Sequence, residues 1–314
     1  MSGAKGAATG QTPTDPPPVP PAEPARAVPP AEAAVIRAAE FLRAHLDEPI
    51  SVQDVADHVG YSTFHLSRLF TRVIGVSPVQ YLAAQRFQRA KMLLLSSDDS
   101  VVDVCMAVGF SSVGTFTRRF VEEVGTSPRD FRRLPHAIAA RETRPTVVIG
   151  AGRGRVQGSV RMSPAALAAI GPSPQVYVGL FRHPAPRGTP VAGTRIMQPG
   201  PYVITGVPTG QWWLLAAAVP QDDPVGQLLV RDLVTAGLPR AITVGEVLQG
   251  TRPAPPSYDL MLAPAAAWAT PVLLALPTLG GDATEGATHG AAQDAVQDFT
   301  QMRTNGDADP PLSP

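Results

Sequence analysis

The side chains able to do chemistry gather in two short runs. The first is Thr63–Val73, with Thr63, Phe64, Ser67, Arg68 and Arg72, preceded by Ser62. The second is Ser112–Val121, with Ser112, Val113, Thr117, Arg118 and Arg119, preceded by Ser111. Neither run contains an acid. An arginine can offer two parallel N–H donors to a guanine edge, worth about 1–3 kcal/mol of discrimination. Short hydroxyl side chains reach bases or phosphates, and an apolar group meets a thymine methyl. These residues suit recognition of a nucleic acid. Residues suited to catalysis are few. Cys105 is the single cysteine, and a thiol nucleophile has to be exposed and activated. Cys105 shares an expected core face with Val104 and Val108. His136 and His183 have no nucleophile motif beside them, and no His/Cys/Asp spacing suggests a metal. No enzyme activity, cofactor or metal is expected.

Both runs belong to a duplicated unit. Ser51, Val52, Asp54, Val55, Val59, Gly60, Tyr61 and Ser62 match Ser100, Val101, Asp103, Val104, Val108, Gly109, Phe110 and Ser111. The offset then grows by one, and Leu66, Arg68, Phe70, Gly75, Ser77, Pro78 and Tyr81 match Phe116, Arg118, Phe120, Gly125, Ser127, Pro128 and Phe131. Self-similarity of this kind signals repeated architecture. Each copy reads as helix, glycine turn, helix. Ser51 with Asp54 and Ser100 with Asp103 have capping-box spacing. Gly60 and Gly109 suit left-handed C-caps. Ser62 and Ser111 are expected to cap the second helices. Ser77-Pro78 and Ser127-Pro128 start further helices, with proline where its missing N–H costs nothing. Two helices around a tight turn make a helix-turn-helix. Pro78–Ser96 between the copies reads as one helix, roughly 28 Å long at 1.5 Å per residue. That length would let two recognition helices enter successive major grooves, which repeat about every 34 Å.

These residues resemble the AraC/XylS-type DNA-binding domain. The features are Ala56, Gly60-Tyr61-Ser62, the run Leu66 to Phe70, Gly75 to Pro78 with Tyr81, Val108-Gly109-Phe110, and Phe116 to Phe120 with Gly125 and Ser127-Pro128. The resemblance covers about residues 33–134. It implies seven helices, two helix-turn-helix units and a rigid linker helix. It implies a transcription factor whose partners are double-stranded DNA and RNA polymerase. It puts the groove-facing positions on Thr63, Phe64, Ser67, Arg68 and Arg72, and on Ser112, Val113, Gly114, Thr117 and Arg118. The second copy is the poorer reader, since Val113 and Gly114 offer no hydrogen bonds. Arg118 is also at the spacing to be held by Glu122. Copy one is therefore expected to carry more of the base specificity.

Formal net charge is zero, so DNA binding requires a local basic patch. Arg132, Arg133, Arg141 and Arg144 form a basic exit that either touches the DNA backbone or is simply a solvated linker. The lone cysteine excludes an internal disulfide and fits a reducing cytoplasm. No secretory leader or membrane span is expected, because the apolar runs are too short.

Beyond Thr146 the texture changes to β-branched runs between glycine and proline turns. Expected strands are Thr146–Ile149, Arg155–Met162, Gln175–Phe181, Thr194–Met197, Tyr202–Thr205, Trp212–Val219 and Ala241–Val247. One helix is expected from Asp223-Pro224 to Gly237, lined by Leu228, Leu229, Leu233 and Val234. Tyr202–Thr205, the turn Val207-Pro208-Thr209-Gly210 and Trp212–Leu215 are similar to carboxypeptidase-regulatory-like, transthyretin-type sandwiches, which implies an accessory module. The adjacent Trp212 and Trp213 should face opposite sides of a strand.

The expected fold is thus two domains, an all-α double helix-turn-helix followed by a mainly-β sandwich with one helix. The expected boundaries are a disordered tail at 1–30, the AraC-type domain at 31–134, a linker at 135–145, the β-sandwich at 146–279 and a disordered tail at 280–314. The expected function is a sequence-specific regulator whose β domain binds a small-molecule effector or a dimer partner. The alternative is a non-specific architectural DNA binder.

Overall fold

The computed structural model describes residues 29–140, 147–148, 152–171, 173–230, 233–245 and 256–278. The expected tails, apart from Pro29 and Pro30, lie outside the described residues, as do Arg141 and Arg144. The helices of the first unit are α1 (Pro30–Ala44), α2 (Val52–Val59), α3 (Thr63–Ile74), α4 (Pro78–Ser96), α5 (Val101–Ala107), α6 (Val113–Val124) and α7 (Pro128–Ala139). Residues 135–139, expected as linker, are the last turn of α7. Pro135 lies inside the helix, where it has no N–H to donate to the Phe131 carbonyl.

The long helix α4 is the spine of this unit. Its first turns contribute Tyr81 and Leu82 to a core with Val35, Leu42, Leu66 and Phe70. Its later turns contribute Phe87, Ala90 and Leu94 to a second core with Val104, Phe116, Phe120 and Phe131. Phe87 stacks on Phe110 at 5.1 Å between ring centroids, and Phe120 meets Phe131 edge-on at 5.7 Å. Full burial of Phe87, Phe120 and Phe131 stabilises by about 1.5–3 kcal/mol each. One helix shared by two cores fixes the two repeats relative to each other.

The second unit contains β1 (Val147–Val148), β2 (Gly154–Met162), α8 (Pro164–Ile170), β3 (Pro174–Phe181), β4 (Ala192–Ile196), β5 (Pro201–Val207), β6 (Gly210–Pro220), α9 (Pro224–Leu229), β7 (Val234–Gly237), β8 (Ile242–Val244) and β9 (Leu260–Pro264). The strands do not form two separately paired sheets. They run in one order, β1-β4-β3-β6-β7-β9-β2-β5, with β8 on β6. Because β5 follows β4 directly in the chain, the two ends of that order meet and the sheet nearly closes. The length of two strands explains the departure from a sandwich. Strand β2 pairs with β5 through Gly154–Ser159 and with β9 through Val160–Met162. Strand β6 pairs with β8 through Gly210–Trp212, with β3 through Trp213–Pro220, and with β7 through Leu215–Ala218. Val156, Val178, Ile204, Trp212, Leu214 and Leu262 fill the interior.

Two further corrections concern helices. The expected helix 223–237 stops at Leu229, because Val230 takes a left-handed conformation with φ +46°. Val234–Gly237 then leaves as a strand paired with β6. The helix α8 is a second departure, so among the described residues the unit has two α-helices where one was expected. Trp212 is buried and donates its indole N–H to the Pro208 carbonyl at 2.8 Å, while Trp213 lies half-buried on the opposite face. Among the described residues no helix is long and apolar enough to cross a membrane.

The two units are docked. Leu228, Leu273 and Ala275 enter the second helical core, and Ala185 and Trp268 pack with the first. Gln88 Nε2 donates to the Leu229 carbonyl at 2.6 Å, and Arg43 donates to the Ala267 carbonyl at 2.8 Å. Ala275 N–H donates to the Val124 carbonyl at 2.9 Å, and Arg187 pairs with Glu123.

Candidate nucleic-acid interface

Helix α3 is set by local signals at both ends. Ser51 N–H and hydroxyl both donate to Asp54 Oδ2, at 2.8 and 2.7 Å, which closes the capping box of α2 and lowers the Asp54 carboxyl pKa. Gly60, at φ +76°, ends α2 and turns the chain. Ser62 then caps α3 by accepting from His65 N–H at 3.3 Å. In the second copy Ser112, not Ser111, caps α6, accepting from Thr115 N–H at 3.3 Å. The one-residue growth in the repeat offset falls in this turn. Gly109 is held more tightly than Gly60. Its φ is +80°, and a Cβ there would lie 2.9 Å from both the Leu46 carbonyl oxygen and the Arg86 guanidinium.

On α3 the expected residues share one surface. Phe64, Arg68 and Arg72 recur every four positions and are all exposed, Phe64 by 71%. Ser62 is exposed beside them, and Thr63 and Ser67 are half-buried. Arg68 rests its guanidinium over the Phe64 ring, 5.6 Å from the centroid. That contact holds the arginine extended on the surface. An exposed aromatic with two arginines and no acid on the same helix is a small basic, partly apolar patch.

The second copy differs position by position. Under the same alignment the stripe becomes Gly114, Arg118 and Glu122. Arg118 pairs with Glu122 at 3.3 Å, with both side chains largely exposed. An exposed pair of this kind contributes only about 0.3–0.5 kcal/mol, so a phosphate or base can displace the acid. Ser111 and Ser112 are exposed, and Thr117 is half-buried like Ser67. Two expected residues turn toward the core. Val113 is half-buried against the second core. Arg119 takes the position of the buried Leu69 and turns inward, over the Phe87 and Phe110 rings at 5.8 and 6.0 Å. The expected basic exit also changes. Arg132 donates to the carbonyls of Leu94 and Asp99, tying α7 to the end of α4, while Arg133 is exposed.

Cys105 is fully buried, and burial raises its thiol pKa. Among the described residues no cluster of His, Cys, Asp or Glu is arranged to hold a metal. Sequence reasoning missed Lys91. It is fully buried, donates to the Val272 carbonyl at 3.2 Å and lies 5.8 Å from the Phe131 centroid. Burial alone brings its pKa from 10.5 down to about 7. The signal was in the sequence: Ala84, Phe87, Lys91 and Leu94 form one apolar helical stripe with a lysine inside it.

Residues 55–134 match a family model described as a helix-turn-helix domain. The chain is similar to the right origin-binding protein of Escherichia coli strain K12, 35% identical over 95 residues, which cover 30% of this chain and 33% of that protein. It is also similar to an uncharacterized HTH-type transcriptional regulator of Staphylococcus aureus strain MSSA476, 31% identical over 93 residues, 30% of this chain and 12% of that one. The chain therefore spans about a third or less of the length of these relatives. Among solved structures it is similar to an AraC-type transcriptional regulator from Chromobacterium violaceum, at 31% identity over 36% of this chain and 97% of that one, TM-score 0.33. It is also similar to the DNA-binding domain of AdpA in complex with a target DNA, at 28% identity over 35% of this chain and 98% of that one, TM-score 0.33. Residues 55–134 are a helix-turn-helix domain of the AraC type.

Proposed function

We propose that the chain is a sequence-specific transcription regulator, in which α3 and α6 enter successive major grooves on one face of double-stranded DNA. The observation that carries this is the exposed stripe Phe64, Arg68, Arg72 on a capped helix with no acid. It is repeated in weaker form on α6, with α4 as a spacer of roughly 28 Å. Arg68 is the base reader, with Phe64 as an apolar contact and Ser67 beside them. Arg72, Ser62, Thr63, Ser111, Ser112 and Thr117 bind sugar and phosphate. Arg118 joins them once it leaves Glu122. RNA polymerase contact, implied by the AraC-type domain, completes the regulator. Val113 and Arg119 keep their structural roles.

A second reading, a non-specific architectural binder, is favoured by the sparse armament of α6. Selection of genomic fragments by the full chain, followed by titration against random competitor, separates the two. A regulator prefers its selected site by a factor of about 10³ or more, and Arg68→Ala reduces that preference. An architectural protein shows no preference to lose.

A further inference from the structure

A cavity of about 250 Å³ lies within the β unit, lined by residues between Tyr177 and Leu276. Its floor is the outer face of the sheet, with Tyr177, Leu215 and Ala217. Its two walls are segments that also touch the helices. One is the β3–β4 loop, which supplies Pro184, Pro186 and Pro190. The other is the strap 269–276, whose side chains alternate. Val272, Leu274 and Leu276 line the cavity, while Leu273 and Ala275 sit in the helical core.

Three polar atoms are buried on this lining without a well-formed hydrogen bond, Tyr177 Oη, Arg195 Nε and Thr270 Oγ1. Tyr177 and Arg195 are directly opposed on β3 and β4, and Tyr177 is only 8% exposed. Burial raises the Tyr177 pKa, the dominant effect, and the adjacent Arg195 opposes it in part. The phenol therefore keeps its proton at neutral pH and can donate. No acid among the described residues pairs with Arg195. A buried donor left without a partner is costly, and convergent polar groups in an apolar pocket are the usual mark of a ligand site.

We propose that this cavity binds a small organic carboxylate with an aromatic or branched apolar body. The Arg195 guanidinium and the Tyr177 and Thr270 hydroxyls take the carboxylate, and the prolines and leucines enclose the body. The same walls reach the proposed DNA-reading helices. Gly75, which caps α3, has Pro184 beside it. Arg187 of the β3–β4 loop pairs with Glu123 near the end of α6, and the strap bonds Val124 and Lys91 through Ala275 and Val272. Occupancy thus acts on the C-terminal ends of both helices and alters DNA affinity; this second step rests on the DNA-binding reading above.

The test is calorimetric titration of the full chain with benzoate, phenylacetate and 4-methylpentanoate, each against its primary amide. At least one acid should bind at one per chain, ten-fold or more tighter than its amide. Arg195→Met should remove that preference, and Thr270→Val, a milder change, should weaken it several-fold. The same acid at saturation should change the DNA Kd of the wild-type chain at least three-fold and leave Arg195→Met unaffected. Absence of binding by all three acids, or equal acid binding in wild type and both variants, overturns the site. Acid binding with unchanged DNA affinity overturns the coupling. If the acid preference holds in a chain that binds no DNA, the site stands and the DNA reading fails.

Discussion

Replacing Lys91 by methionine should stabilise the protein, most strongly below pH 7. Lys91 is fully buried between α4 and the strap, and burial is the sole cause of its low pKa; no charged neighbour contributes. Bringing the pKa from 10.5 to about 7 corresponds to about 5 kcal/mol against the charged form, at 1.36 kcal/mol per pH unit. Below pH 7 both folded and unfolded chains are protonated, and the folded chain bears the full penalty. Between about 7 and 10.5 the unfolded chain holds a proton that the folded chain lacks, so stability rises with pH, by at most about 1.4 kcal/mol per unit. Methionine keeps the volume and removes the charge. It loses the bond to the Val272 carbonyl, so the net gain at pH 6 should be about 1–4 kcal/mol, as for other buried charges replaced by apolar groups. That gain should shrink toward pH 10. Urea unfolding of both chains from pH 6 to 10 reads it directly, because other titrating groups cancel in the difference. A difference that stays constant across this range would refute the reasoning, since Lys91 would then not be dehydrated in the folded protein.

Arg72→Ala should weaken binding alike on all sequences and reduce the slope of log K against log salt by about 1, as expected for one phosphate contact; a salt titration checks it. Gly60→Ala should cost about 1–2 kcal/mol, from the left-handed backbone alone, because a Cβ there meets nothing within 4 Å. Gly109→Ala should cost more in chemical denaturation, since its Cβ meets the Leu46 carbonyl. The buried Cys105 thiol should resist an aromatic disulfide reagent in the native chain and react once urea unfolds it, followed by absorbance.

The helical unit was legible because its signals are local. Ser51 with Asp54, Gly60, Ser77-Pro78 and Gly125 each act within four residues, and the structure keeps each where the spacing places it. The position of Arg119 depends on tertiary packing. Its register matches that of Leu69, a buried residue, so the repeat itself marked the position as inward. The β unit was legible as strands but not as a topology. Alternation shows that β2 and β6 have two faces, and it is silent on which neighbours each half of a long strand takes. Ser163-Pro164 opens α8 with the same cap used by α4, a signal present and passed over. Val230 ends α9 with no glycine, so the helix boundary had no local marker. The cavity required Tyr177, Arg195 and Thr270 to converge from distant parts of the chain, which no local pattern encodes.

The proposed DNA recognition turns on Arg68 of α3 reading a base. The most direct measurement is competition binding of the full chain and of Arg68→Ala, at physiological salt, on a selected site and on random DNA. The wild type should prefer the selected site by a factor of about 10³ or more, and the variant should lose about 1–3 kcal/mol of that preference with little change on random DNA. Equal affinity of the wild type for both DNAs, or an equal loss on both from the substitution, would contradict it.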